Sequence, residues 1–206
     1  MKRSELWNDG QKSYERTSAM TEETLEPRHA PEPAAAPLPD YLRPNLKLVF
    51  IGINPGFYSA QVGHYFARPG NLFWWALSNS GLIPHALGPE QDRDLLLYDI
   101  GLTDVVKRPT HSSGELRQNE FDAGAKMLSQ TLELYKPRVA CFVGLLGATA
   151  FVGRHIKPGP LTEQVGGTKL FAVPSPSRRN AHYGKEGILN CFKQLADFMS
   201  SITCPH

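Results

Sequence analysis

The chain has 206 residues, 41% of them hydrophobic and 20% charged, and a formal net charge of +2, which gives room for one domain with a core that needs no staples. Its three cysteines, Cys141, Cys191 and Cys204, are widely spaced and form no C-x-x-C pair, which speaks against a disulfide framework, a zinc site or an iron–sulfur cluster. No apolar run approaches the roughly 18 residues of a membrane span, and the N-terminus lacks the charged-then-apolar pattern of a secretory signal, so a soluble intracellular protein with no membrane partner is expected, in a bacterial cytoplasm or nucleoid or in a nucleus.

Residues 1–45 hold six Lys/Arg against eight Asp/Glu and lack a sustained apolar period; six prolines fall among the eighteen positions 27–44. Proline at that density excludes helix and sheet interior, so this stretch is expected to be a disordered or extended leader, with the ordered domain over 46–206. That remainder carries 16 basic and 12 acidic residues, a mildly basic body that permits a polyanionic partner without demanding one. LKLVFIGI (46–53) is a continuous apolar run stopped by Asn54-Pro55-Gly56 and predicts a buried parallel strand. NLFWWALSNSG (71–81) has helical spacing and ends on a glycine suited to a C-cap. LLLYDIGLTDVV (95–106) reads as a strand region, and Phe121, Ala125, Leu128, Leu132 and Tyr135 mark an amphipathic helix over 120–135. PRVACFVGL (137–145) repeats the buried-strand pattern, 147–152 is a short helix, TKLFAVPSPS (168–177) is a strand entering a polar turn, and a closing helix carries Ile188 to Met199. Alternating strands and helices predict a three-layer α/β/α sandwich around a central, mainly parallel sheet.

In such sheets ligands bind beyond the carboxyl ends of the strands, so the loops there hold the candidate chemistry. Gly52-Ile53-Asn54-Pro55-Gly56-Phe57 fixes a tight turn around one amide side chain; Gly101-Leu102-Thr103-Asp104 ends a strand on a carboxylate; Pro174-Ser175-Pro176-Ser177-Arg178-Arg179-Asn180 presents hydroxyls and two guanidiniums. Taken singly, each has a structural explanation: Asn as turn former, Asp as helix cap, the arginines as a solvated pair. Together, at one end of one sheet, they would line a single cleft.

In order and spacing, GINPGFYSAQVGHYFARPGNLFW (52–74), GLTDVVKRPT (101–110) and VPSPSRRNAHY (173–183) resemble the mismatch-specific uracil/thymine-DNA glycosylases, a branch of the uracil-DNA glycosylase superfamily. The likeness runs from about Leu46 to Met199. It implies a monomeric, monofunctional glycosylase, free of metal and cofactor, that flips a mismatched or damaged base out of double-stranded DNA and hydrolyses its N-glycosidic bond. By the same resemblance Asn54 holds the attacking water, the main chain around Ile53 and Phe57 contacts the base, Phe66 stacks on it and Asn71 buttresses the pocket. The 175–180 loop, with Ser175, Ser177, Arg178 and Asn180, enters the helix, and Arg179 fills the vacated space and faces the widowed guanine. Gly56 stands where uracil-specific members carry a tyrosine, which implies room for bulkier uracils and ethenocytosine-type bases. Ser59 stands where thymine-active animal members have a small apolar residue, which implies a preference for uracil over thymine. Asp104 departs from the Lys or Asn common at its position; it serves either as a general base or electrostatic partner of the sugar cation, or as a reader of the base edge. Arg68, Lys107 and Arg108 suit contacts to the DNA backbone. A non-catalytic mismatch-sensing module of the same fold is the competing reading, and the absence of a G-x-x-x-x-G-K loop disfavours a nucleotide-processing enzyme.

Overall fold

A computed structural model describes residues 35–178 and 182–203. Five strands, β1 (Leu48–Gly52), β2 (Ile100–Asp104), β3 (Val139–Val143), β4 (Gly159–Val165) and β5 (Thr168–Val173), form one sheet in the order β2-β1-β3-β5-β4. All neighbours are parallel except β4, which runs antiparallel to β5 at the edge. Every residue of β1, β2 and β3 is buried, because helices cover both faces of the sheet. On one face Leu48, Phe50, Ile100, Leu102 and Cys141 pack with Phe73 and Leu77 of α2 (Phe73–Asn79) and Phe192 and Leu195 of α5 (Gly184–Thr203). On the other, Val49, Ile51, Ala140 and Phe142 meet Phe121, Leu128 and Leu132 of α3 (Gln118–Tyr135) and Ala148 of α4 (Leu145–Val152). The architecture is the expected α/β sandwich. Among the described residues no helix is long and apolar enough to cross a membrane.

Three local features differ from the sequence expectation. The apolar stretch 95–106 is not one strand: a 3-10 segment, Pro89–Tyr98, runs into Asp99, whose φ of 56° breaks the chain direction before β2 begins. Leu95 is fully buried there while Leu97 is 79% exposed, so the leucine run serves a turn rather than a sheet. The edge strand β4 was not foreseen, because its sequence GPLTEQV alternates half-exposed positions and offers no apolar run. A short helix, α1 (Phe57–Val62), follows the first loop directly and is too brief to show a period.

The ordered body also reaches back before Leu46. Leu38 is buried, and Tyr41 exchanges two backbone hydrogen bonds with Leu102, at 2.9 and 3.1 Å. Gly101 permits this approach, since a Cβ there would lie 2.6 Å from the Tyr41 carbonyl oxygen. Proline density argues against helix and sheet interior, and an extended strap along the edge of β2 needs neither. Of the leader expected over 1–45, residues 1–34 lie outside the described residues.

Candidate active site

The register of the sheet pairs Gly52 with Asp104, so the tips of β1 and β2 end side by side. The two following loops are joined: the Thr110 N–H donates to Pro55 O at 3.1 Å and the Phe57 N–H to Thr110 O at 2.8 Å. The turn after β5 is tied in by the Leu72 N–H donating to Pro176 O at 2.9 Å. Between these loops lies a cavity of about 170 Å³, whose wall includes Ile53, Asn54, Gly56, Ser59, Phe66, Asn71, Asp104, Ser175 and Ser177. Most of the residues singled out from the sequence therefore meet at one place.

Asn54 is fixed by its nitrogen. Its Nδ2 donates to Thr110 Oγ1 at 2.7 Å and to the carbonyls of Arg108 at 2.9 Å and Pro55 at 3.2 Å. The amide's donating end is thereby spent, and the carbonyl oxygen is the end left to hold a water. Ile53 points away, packing against Gly144 and Gly147 at the start of α4, so the strand presents main chain to the cavity.

Asp104 is the opposite case. Its carboxyl is 3% exposed, and Oδ2 is buried with no hydrogen-bond partner among the described residues. It lies against Gly52, where any Cβ would collide with Oδ1 and would stand 3.8 Å from the Phe66 ring. Burial lifts this carboxyl from its ordinary 3.8 to about 7; Lys107 opposes that rise and Asp40 adds to it.

Phe66 forms the aromatic wall, its ring stacked on Phe73 with centroids 4.0 Å apart and 23° between planes. Its φ is 54°, a left-handed conformation costly for a bulky residue, and the neighbouring bonds hold it there. Ser59 Oγ accepts from the Ala67 N–H at 3.1 Å, the Tyr65 N–H donates to Asp92 Oδ2 at 2.9 Å, and Trp74 Nε1 donates to Tyr65 O at 3.0 Å. Ser59 thus lines the cavity and also braces its wall. Asn71 accepts from the Phe73 N–H through Oδ1 at 2.9 Å, capping the first turn of α2 from the cavity rim.

At the mouth, a Cβ on Gly56 would meet nothing within 4 Å, and its φ of −66° suits any residue; the missing side chain leaves open space. Phe57 does not join the cavity wall: its N–H is given to Thr110, and its ring stacks on His111 at 4.2 Å. Arg178 packs against Gly70 and lines an adjoining notch with Arg68, Tyr58 and Ser177. Arg179 and Asn180 lie outside the described residues.

Two expectations about cations part company here. Arg68 lines both the cavity and the adjoining notch. Arg108 instead grips Glu120 with two bonds of 2.6 and 2.9 Å, holding that carboxyl at about 2, and Lys107 is bound by Asp40 and Thr103. Sequence reasoning missed Leu38, Ser112 and Ser113 as parts of the wall. Thr110 closes the 101–110 motif, but the motif assigns it no role; the parallel bridge between Gly56 and Thr110 brings it to the site. Among the described residues no group of three or more His, Cys, Asp or Glu could hold a metal ion.

Fold and site together define an α/β protein with an aromatic-walled pocket, an oriented amide and a buried carboxyl at the strand tips. A sequence profile of the uracil DNA glycosylase superfamily matches residues 39–198, and the chain belongs to that superfamily. Its members are DNA glycosylases, hydrolases of DNA repair. The chain is also similar to the solution NMR structure of a candidate uracil DNA glycosylase from Methanosarcina acetivorans, at 22% identity and a TM-score of 0.48 over 79% of this chain and 98% of that one.

Proposed function

We propose that this chain is a monofunctional glycosylase that removes uracil, and bulkier uracil or ethenocytosine-type bases, from opposite guanine in duplex DNA, with thymine a poor substrate. The observation that carries the reading is the conjunction of Asn54, Asp104 and Phe66 around one cavity in a chain of this superfamily. An anomeric carbon cannot be reached inside stacked DNA, so the nucleotide must leave the helix, at a cost that is least for a mismatch. Arg178, on the turn that borders the cavity, suits insertion into the space left behind, because a planar, permanently charged head resists re-stacking near phosphates, and the family resemblance gives the same part to Arg179.

Once the base is seated on Phe66, the C1′–N bond breaks with its electron pair leaving on the base, and the sugar becomes cation-like. The water held by the Asn54 carbonyl oxygen adds to C1′. An amide orients a water but cannot take its proton. Asp104 is placed to accept that proton, and its anion faces the developing positive charge. A carboxyl near 7 is suited to this exchange at neutral pH. Gly56 leaves the mouth wide enough for substituents on the base, so discrimination falls to the opposite guanine. Ser59 keeps a hydroxyl beside the pocket, which favours uracil over a 5-methylated ring. The protein acts alone, without metal or cofactor, on DNA inside the cell.

The test is alkaline strand cleavage on labelled duplexes bearing uracil opposite guanine, uracil opposite adenine or thymine opposite guanine, and on single-stranded uracil DNA. Abasic sites from wild type on the uracil–guanine duplex, nearly lost in Asn54→Ala and Asp104→Asn, support the assignment. An equal loss on every base marks Asp104 as a base catalyst, whereas a changed preference marks it as a reader of the base edge. Binding to mismatched duplex with no abasic sites from any substrate overturns the enzyme reading in favour of a mismatch-sensing module.

A further inference from the structure

The strap that crosses the edge of β2 contributes more than a wall. Leu38 lines the base cavity, and Pro39 O accepts from the Tyr65 hydroxyl at 3.2 Å. Asp40 Oδ1 then receives Lys107 Nζ at 2.6 Å and Thr103 Oγ1 at 2.7 Å, while Lys107 Nζ also donates to Thr103 Oγ1 at 2.7 Å. Successive residues of a strand point to opposite faces. Thr103 therefore sits with Lys107 and Asp40 on the α3 side of β2, while Asp104, which also borders the notch they line, is part of the base cavity wall.

Lys107 is three residues from a buried carboxyl that has an unpartnered oxygen. Released from Asp40, it is a cation on a flexible stem with every electrostatic reason to turn toward that carboxyl. Such a pair would hold Asp104 charged and blocked. We propose that Asp40 is a positioning residue of the site: by pinning the Lys107 ammonium to Thr103 on the α3 side of β2, it keeps Asp104 unpaired and able to take up a proton. The proposal rests on the role given to Asp104 above and extends it to a residue in the segment the composition marks as leader.

The other groups facing Asp104 do not supply this control. Tyr65, from the loop between α1 and α2, has its ionisation pushed far up by burial first and then by the Asp104, Asp40, Tyr41 and Asp92 charges, so it stays neutral. Arg68 from the same loop and His111 from the loop after β2 line the cavity nearer its mouth. Asp40 and Lys107 are the pair whose opposed effects reach the carboxyl, Lys107 lowering and Asp40 raising its proton affinity.

The experiment is carboxyl carbon-13 NMR of the full chain labelled at aspartate, titrated with pH, with the Asp104 signal assigned by its loss in Asp104→Asn. In Asp40→Asn the Asp104 midpoint is expected to fall by about half a unit or more as Lys107 acts unopposed, and in Lys107→Met it is expected to rise. Thr103→Val, which removes the bridging hydroxyl but keeps the Tyr41–Leu102 backbone pair, is expected to act like Asp40→Asn and serves if that variant does not fold. The acid limb of the rate profile on a uracil–guanine duplex should move in the same directions, a displacement that a purely structural strap would not produce. An Asp104 midpoint unmoved in a folded Asp40→Asn or Thr103→Val overturns the proposal whatever the activity. Midpoints that move as stated in a chain that releases no base uphold the coupling and overturn the glycosylase reading instead.

Discussion

The tips of β1 and β2 are register partners, yet they end in opposite ways. At the first, Asn54 gives its amide hydrogens to three acceptors and is held as firmly as a side chain on a loop can be. At the second, Asp104 is buried with an oxygen that no group among the described residues satisfies, and burial raises its proton affinity. Geometry and proton chemistry are thus divided between neighbouring residues: one is oriented but cannot accept a proton, the other can accept one but is not tied down. A structural carboxylate would have been paired, and a structural amide would not need three acceptors from two loops.

Breaking the carboxyl half of the comparison should have the largest effect. Asp104→Asn keeps the shape and removes the proton acceptor, so turnover on a uracil–guanine duplex is expected to fall on the order of 10³-fold, and the rise in wild-type rate through about pH 7 should vanish from the profile. The same change should make the protein more stable. A carboxyl moved from 3.8 unfolded to about 7 folded binds more protons in the folded state across that window, so its contribution becomes increasingly unfavourable as pH rises. Above pH 7 the penalty is on the order of 4 kcal/mol at most, and below both values it disappears. Thermal unfolding of the two proteins from pH 4 to pH 8 checks this: the melting temperature of Asp104→Asn should exceed that of wild type at pH 8 and converge with it at pH 4. A gap that does not change with pH would mean the carboxyl is not buried as a lone charge.

The amide half breaks differently. Asn54→Asp would aim a carboxylate oxygen at the carbonyls of Arg108 and Pro55, both acceptors. The substitution is therefore expected to cost about 10²-fold in rate, as much as Asn54→Ala, and to restore nothing when combined with Asp104→Asn. Single-turnover rates of the two single variants and the double variant decide it. A double variant faster than Asp104→Asn would show that the loop can re-form around a carboxylate.

These two residues also mark how far the sequence could be read. GINPG and the Asp104 strand end were legible because a buried strand stops at each and the stop residues are chemically specific. The partners that give each residue its character were not. Thr110 reaches Asn54 only through the bridge to Gly56, and Asp40 reaches Lys107 from a proline-rich stretch whose composition argues against order. Both are contacts across many residues, made by segments too irregular to show a period. The same limit explains the edge strand β4, half-exposed and mixed in polarity, and the 3-10 segment before β2, whose leucines imitate a strand until Asp99 turns the chain. Hydrophobic pattern reports which elements are buried; it does not report which loop will touch which.

A smaller effect should come from the mouth of the cavity, where shape rather than protons decides. Gly56 has ordinary backbone angles and open space beyond its Cα, so Gly56→Tyr is expected to fold normally. Its ring would fill the open space at the cavity mouth, where the proposed function seats substituents on the base. Uracil excision should persist while excision of 5-substituted uracils and ethenocytosine-type bases drops about tenfold relative to uracil, the scale on which pocket size discriminates small groups. Competition between differently labelled duplexes in one reaction measures the ratio directly. An unchanged ratio would place the base deeper than this rim and leave Ser59 and Phe66 to set the substrate range.

The smallest expected change probes the restraint on Asn54 itself. Thr110→Val removes one of the three acceptors and keeps the backbone bridge to Pro55 and Phe57, so the loop should stay in place. The amide would then be held by two carbonyls, one of them at 3.2 Å. A hydrogen bond of this kind contributes about 1 kcal/mol, so a loss of about fivefold in the chemical step is expected, with DNA binding unaltered. If the rate instead falls as far as in Asn54→Ala, the threonine hydroxyl is what aims the amide, and the loop after β2 supplies orientation as well as the proton acceptor. If the rate does not change, the two carbonyls suffice, and the division of labour between the two strand tips is sharper than the hydrogen bonds alone suggest.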